Sequence, residues 1–197
     1  MLQSSIKAPV TRVITPLCRG LLRAGITPNQ MSAFGGLGSS VAALFLFGTG
    51  HFFAGVMVTT VFVLFDLLDG TMARMSGSSS KWGALLDSTL DRVSDAAILG
   101  SMAYWLFRHH DRLVPVFIAL IITGSLISYI KARAEALDIE CNGGIAERTE
   151  RLILILVAAG FHGLRLPYIL AIGAWSLLFL SAITVFQRLL IVYRGSR

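Results

Sequence analysis

Four aspartates, Asp66, Asp69, Asp87 and Asp91, stand in and beside apolar stretches of this 197-residue chain. They lie within DLLDGTMARMSGSSSKWGALLDSTLD, and the chain has only eleven acidic residues in all. Asp66 and Asp69 are three apart and Asp87 and Asp91 four apart, so each pair projects from one face of a helix. Gly77, Ser78, Ser79 and Ser80 read as a turn that brings the two faces together. Four carboxylates converging in a partly desolvated place repel one another unless cations neutralise them. Divalent metal is the economical partner, and an all-oxygen donor set favours Mg²⁺ or Mn²⁺ over Zn²⁺.

Two arginines, Arg74 and Arg92, stand close by in sequence and can neutralise one or two of these charges, but not four. Asp95, one turn beyond Asp91, reads as support for the metal site or as a partner of Arg92. Gly70, Ala73 and Gly83 fall on or near the carboxylate faces, where a missing side chain lets a ligand approach the helix backbone. Acids inside a membrane also mark ion and proton paths, so a cation transporter is the competing class. A path would need acids across the whole membrane, and these gather toward one side.

The elements that must carry these residues follow from composition. The chain is 55% hydrophobic, 14% charged and has a mean hydropathy of +0.73, which points to a polytopic, all-α integral membrane protein. A membrane-spanning helix needs about 20 mostly apolar residues. Six spans are predicted, over about 28–48, 52–75, 82–107, 113–134, 146–163 and 167–190. The connections are short and without repeats, so 1–197 reads as one domain. Before the first span, Ile6, Val10, Val13, Ile14, Leu17, Leu21 and Leu22 recur at helical spacing, with Lys7, Arg12, Arg19 and Arg23 mainly elsewhere on the wheel. This predicts an interfacial amphipathic helix over 6–24. No apolar segment with a small-residue cleavage site opens the chain, so no signal peptide is expected.

Charge sets the expected orientation. With a cytoplasmic N-terminus, that side receives Lys7, Arg12, Arg19, Arg23, Arg74, Lys81, Lys131, Arg133, Arg148, Arg151, Arg188, Arg194 and Arg197. The other side receives only Arg108, Arg112 and Arg165, so both termini are expected inside. The net charge of +6 then reports topology and attraction to anionic lipid rather than nucleic acid, since no basic patch is interleaved with stacking aromatics. Cys18 and Cys141 fall on the reducing side, have no metal-like spacing and receive no role.

The pattern Asp66-x2-Asp69-Gly70-x2-Ala73-Arg74-x8-Gly83-x3-Asp87-x3-Asp91 resembles the signature of the CDP-alcohol phosphotransferase family, with all eight positions in place. That resemblance implies transfer of a phosphatidyl group from CDP-diacylglycerol to an alcohol hydroxyl, with release of CMP. It implies that Asp66, Asp69 and Asp87 bind metal, and that Asp91 completes the shell of a second metal or acts as general base. Two Mg²⁺ ions, with Mn²⁺ as substitute, would clamp the attacking and leaving oxygens. Gly70, Ala73 and Arg74 would line the CDP-diacylglycerol pocket with Gly83, and Arg74 would pair with a phosphate. Ser80 resembles a nucleotide-contacting hydroxyl and also fits a turn serine. TPNQ at Thr27 to Gln30 reads as a helix start, with Thr27 as N-cap and Pro28 at the first position. Relatives begin similarly beside the nucleotide, which adds Asn29 and Gln30 to the candidates.

The acceptor must be read elsewhere. Lys131 and Arg133 close the fourth span, Arg148 and Arg151 open the fifth, and Arg188 ends the sixth. Each alone fits positive-inside anchoring; together they favour an anionic acceptor, a phosphorylated polyol. SYIKARAEA and GGIAERTERLI resemble the actinobacterial branch of the family that accepts myo-inositol 3-phosphate. By that resemblance Lys131, Arg151 and Arg188, with Ser128, hold the inositol phosphate; glycerol 3-phosphate is the alternative. The family also implies a homodimer in the cell membrane.

Overall fold

Helix ends explain how the chain begins. The computed structural model describes residues 14–77 and 80–196, with the side chains of Asp66 and Leu67 outside that description. The expected amphipathic positions Ile6, Lys7, Val10, Arg12 and Val13, the turn residues Ser78 and Ser79, the carboxylate of Asp66 and terminal Arg197 therefore lie outside the described residues. Helix α1 is described over 14–23. Gly25, at φ +82°, stops it: its N–H donates to the Leu22 carbonyl and that of Ile26 to the Leu21 carbonyl, each at 3.1 Å. Paired bonds of this kind close a helix through a left-handed residue, a conformation that costs glycine nothing.

Helix α2 (Pro28–Leu46) starts two residues later. The Gln30 side-chain oxygen accepts from the Thr27 N–H at 2.9 Å, and the Gln30 N–H donates to the Thr27 hydroxyl at 3.3 Å. This reciprocal cap satisfies two otherwise orphaned donors, with Pro28 in the position where a missing N–H is harmless. The remaining helices are α3 (Phe52–Ser76), α4 (Lys81–Arg108), α5 (Val114–Glu135), α6 (Arg148–Gly163) and α7 (Ile169–Gly195). The described chain is all-helical. The residue ranges expected for six spans are helical, as α2 to α7; the largest difference is the end of α7, five residues beyond the expected 190.

Three of these helices, α3, α5 and α7, are long and apolar enough to cross a membrane. The others fall short for visible reasons: α4 carries Asp87, Asp91, Arg92 and Asp95, α6 has 16 residues, and α2 includes Asn29, Gln30 and several serines and glycines. Large apolar side chains lie bare on the surface, including Phe45 at 70%, Phe107 at 67% and Phe179 at 68% exposure. A water-soluble protein does not carry that much exposed apolar surface; lipid is its natural cover. The protein is membrane-embedded.

The chain forms two compact units. One draws on residues up to Ala42 and Val58–Ser94, the other on Ala43–Met57 and Asp95–Arg197. In the first, α1 lays Ile14, Leu21 and Leu22 against a buried cluster of Cys18, Met31, Leu68 and Met72, while Leu17, Arg19 and Arg23 stay exposed. Cys18 donates to the Leu68 carbonyl at 3.7 Å, and burial pushes its thiol pKa up, as suits a packing residue rather than a reactive one. In the second, Phe47, Phe52, Ile98, Met102, Phe117, Ile155 and Leu177 form the core, and α5 and α6 both pack on α7.

Candidate functional site

The first unit holds a cavity of about 190 Å³ lined by Pro28, Asn29, Ser32, Asp69, Gly70, Ala73, Ser80, Gly83, Ala84 and Asp87. Three helix segments build it. The capped start of α2 brings Asn29 and Ser32, three residues apart, to the wall. Near its C-terminal end, α3 supplies Asp69, Gly70 and Ala73, again at one-turn spacing. The first turns of α4 supply Gly83, Ala84 and Asp87, and Ser80 caps that helix by accepting the Gly83 N–H at 3.0 Å. Ser80 is thus both the cap and part of the wall.

Asp69 is buried, and the Ser32 hydroxyl donates to its Oδ2. A hydroxyl that orients one carboxylate oxygen is the usual way a metal ligand is held in place. Asp87 is half-buried on the same cavity, and Asp91, one turn further along α4, has its Oδ2 3.7 Å from Nη2 of Arg92. Among the described residues no three of His, Cys, Asp and Glu form a closed ligand set; Asp66, the fourth aspartate, has its side chain outside that description. Two carboxylates on one cavity, an oriented oxygen and a wall of oxygen donors without sulfur or imidazole fit a hard divalent cation.

The glycine at 83 has a visible reason. A β-carbon there would stand 2.8 Å from the Asn29 Oδ1 and 3.2 Å from the Ser80 Oγ. A side chain there would crowd the oxygens of Asn29 and Ser80 on the cavity wall. Two other candidates stand apart from this wall. Gln30 uses its side chain in the α2 cap, and Arg74 is exposed, with Nη2 donating to the Thr71 hydroxyl at 3.2 Å. Ser32, Pro28 and Ala84 are the lining residues that sequence reasoning missed. Ser32 was findable, because a serine three residues after Asn29 shares its helix face.

The second unit gathers the expected acceptor residues along one stripe of α5. The Ser128 hydroxyl donates to the Gly124 carbonyl at 3.2 Å, and the Arg151 guanidinium lies against Gly124, where an added β-carbon would stand 3.8 Å from Nη2. Arg188 is 5% exposed and donates from Nη1 to the Ile127 carbonyl at 2.6 Å and from Nε to the Gly143 carbonyl at 3.0 Å. It therefore braces the segments that it links. Lys131 is half-exposed and makes only a weak contact, 3.9 Å to Glu135 Oε1, within its own helix. Asp95, read from sequence as support for the metal site or a partner of Arg92, has Arg148 at 3.2 Å and Arg151 at 3.7 Å as partners. Arginines on another helix outcompete a neighbour in sequence whose own guanidinium reaches Asp91.

The segment before α6 is strapped to α7. Gly143 and Gly144 have φ of +143° and +129°, the Ile145 N–H donates to the Gln187 side chain at 3.2 Å, and the buried Ala146 N–H donates to the Thr184 hydroxyl at 3.0 Å. Thr184→Val keeps the shape but leaves the Ala146 N–H buried without an acceptor, at a cost of about 1–3 kcal/mol. The expected result is a lower melting temperature in detergent; an unchanged melting temperature would show that the strap contributes nothing.

Comparison with known proteins places this architecture. The chain matches the CDP-alcohol phosphatidyltransferase family model over residues 25–192 and belongs to that family. It is an enzyme, and the transporter alternative falls. Phosphatidylinositol phosphate synthase of Mycobacterium tuberculosis is 45% identical over 188 residues, covering 93% of this chain and 87% of the relative. The synthase of that name from Streptomyces avermitilis is 42% identical, over 100% of this chain and 84% of the relative. The crystal structure of the M. tuberculosis synthase with CDP-DAG bound superposes with a TM-score of 0.88 at 45% identity, covering 92% of this chain and 94% of that one. The same enzyme in complex with manganese and citrate gives 0.86 at 44% identity, over 91% and 88%.

Proposed function

We propose that the chain transfers the phosphatidyl group of CDP-diacylglycerol to 1D-myo-inositol 3-phosphate, releasing CMP. The observation that carries this reading is the cavity that sets Asp69 and Asp87 beside Gly70, Ala73, Ser80, Gly83 and Asn29. Asp66, Asp69 and Asp87 hold two divalent ions, Mg²⁺ or Mn²⁺, with Asp91 as base or as a further ligand. When bound, the ions supply charge neutralisation for the pyrophosphate and the leaving CMP. Gly70, Ala73 and Gly83 let the nucleotide approach the helix backbones. Arg74, at the exposed end of α3, meets a phosphate.

Asp91 takes the proton of the acceptor hydroxyl. The acceptor's hydroxyl oxygen then attacks the phosphorus that carries diacylglycerol, the bond from that phosphorus to the bridging oxygen breaks, and CMP leaves with that oxygen. Ser128, Lys131, Arg151 and Arg188 hold the phosphate of the inositol phosphate, which explains why arginines are buried along α5. The protein sits in the plasma membrane with α2 to α7 as six spans and α1 as part of an interfacial helix. Both termini and the site face the cytoplasm, the orientation that the excess of Lys and Arg supports. By family resemblance it acts as a homodimer.

Purified protein given CDP-diacylglycerol and, separately, inositol 3-phosphate, glycerol 3-phosphate or inositol tests the reading. CMP release is expected with the first; release only with glycerol 3-phosphate would make the chain a phosphatidylglycerophosphate synthase instead. Gly83→Ala, which crowds Asn29 and Ser80, is expected to raise the KM for CDP-diacylglycerol by about tenfold while leaving that for the acceptor unchanged. An unaltered CDP-diacylglycerol KM would remove Gly83 from the nucleotide wall.

A further inference from the structure

Asp95 belongs to no part of the aspartate motif, yet it is tied to the helix that carries the acceptor arginines. Its Oδ1 accepts from Arg148 Nε at 3.2 Å and its Oδ2 stands 3.7 Å from Arg151 Nη2. The exposures of the three side chains are 22%, 22% and 10%, so solvent screens this cluster less than a surface pair.

The location favours a holding group. Arg148 is the first residue of α6 and Arg151 the fourth. The first turn of a helix exposes free N–H groups and a partial positive charge, which disfavour cations there. Glu150 in the same turn offsets part of this. The Asp95 carboxylate adds to it from α4 and reaches both guanidiniums directly. One carboxylate cannot engage every donor of two guanidiniums, each of which has a five-donor fork.

We propose that Asp95 is a positioning residue for acceptor specificity. It anchors Arg148 and fixes the Arg151 guanidinium against Gly124 of α5, in the orientation in which its remaining N–H groups bind the acceptor phosphate. Discrimination for a phosphorylated over a neutral polyol then depends on a residue that touches neither substrate. This rests on the assignment of Arg151 to the acceptor.

The test uses full-length protein in lipid nanodiscs and CMP release, with each substrate varied in turn. Asp95→Asn is expected to raise the KM for inositol 3-phosphate by about tenfold or more, because a guanidinium displaced by about 1 Å binds poorly. The kcat and the KM for CDP-diacylglycerol should stay within about twofold, and Asp95→Glu should return the acceptor KM to within about threefold of the parent protein. Should the Asn variant fail to fold, Asp95→Ser carries the same expectation. An unchanged acceptor KM overturns the proposal, as does an equal rise in both KM values, which would place Asp95 with the metal site. Arg151→Gln separates the two levels. If it leaves the acceptor KM unchanged, the acceptor assignment itself fails; if it raises that KM while Asp95→Asn does not, only the positioning role fails.

Discussion

Asp91→Asn should lower kcat by about 10²–10⁴-fold, the range expected when a positioned general base is removed, while CDP-diacylglycerol binds within about threefold of the parent protein. The substitution is nearly isosteric, and the residues that line the nucleotide cavity, Asp69, Gly70, Ala73, Gly83 and Asp87, are untouched. What is lost is one negative charge 3.7 Å from the Arg92 guanidinium. An amide can still accept a hydrogen bond there but cannot take a proton from the acceptor hydroxyl. The same variant decides between the two roles open to Asp91. As base alone, it leaves the stabilisation by added Mn²⁺ intact; as a metal ligand, it weakens that stabilisation together with turnover. Retained turnover would remove Asp91 from the chemistry.

Removal of metal should have the second largest effect. Chelation is expected to abolish CMP release, and Mg²⁺ or Mn²⁺ to restore it. Asp69→Asn should reproduce the loss while sparing the fold, because the amide oxygen can still accept from Ser32. A metal present at 100 times its Kd stabilises the native state by about 2.7 kcal/mol. Loss of a direct ligand is expected to weaken affinity by about 100-fold, the upper end of what even outer supporting residues contribute, and so to erase most of that shift. Without metal the variant should melt no lower than the parent, since one of the mutually repelling carboxylates has lost its charge. A full Mn²⁺-dependent rise in melting temperature for Asp69→Asn would show that the cation is held elsewhere.

Features governed by short sequence separation were legible. The Thr27 cap with Pro28 behind it, and Asp69 and Asp87 with the small residues beside them, depend on spacings of three or four, which a helix turns into shared faces. Helix ends were read to within a few residues for the same reason, since apolar length sets them. Family resemblance added the roles of the eight motif positions, which spacing alone leaves open between metal binding and ion conduction.

Spacing did not announce which side chains would meet across helices. Ser32 reaches Asp69 from 37 residues away, and Arg148 reaches Asp95 from 53. Arg188 turned out to brace Ile127 and Gly143 as well as to face the acceptor question. The amino-acid sequence by itself determined the all-helical membrane character and the spacing of the aspartates, because hydropathy and helical period are local properties. Only the tertiary structure decided that Ser32 orients Asp69, that Asn29 and Ser80 require glycine at 83, and that Asp95 serves the arginines of α6. These depend on which charged and polar groups the packed helices bring within hydrogen-bonding reach, and a buried charge pairs with whichever opposite charge the packing puts there.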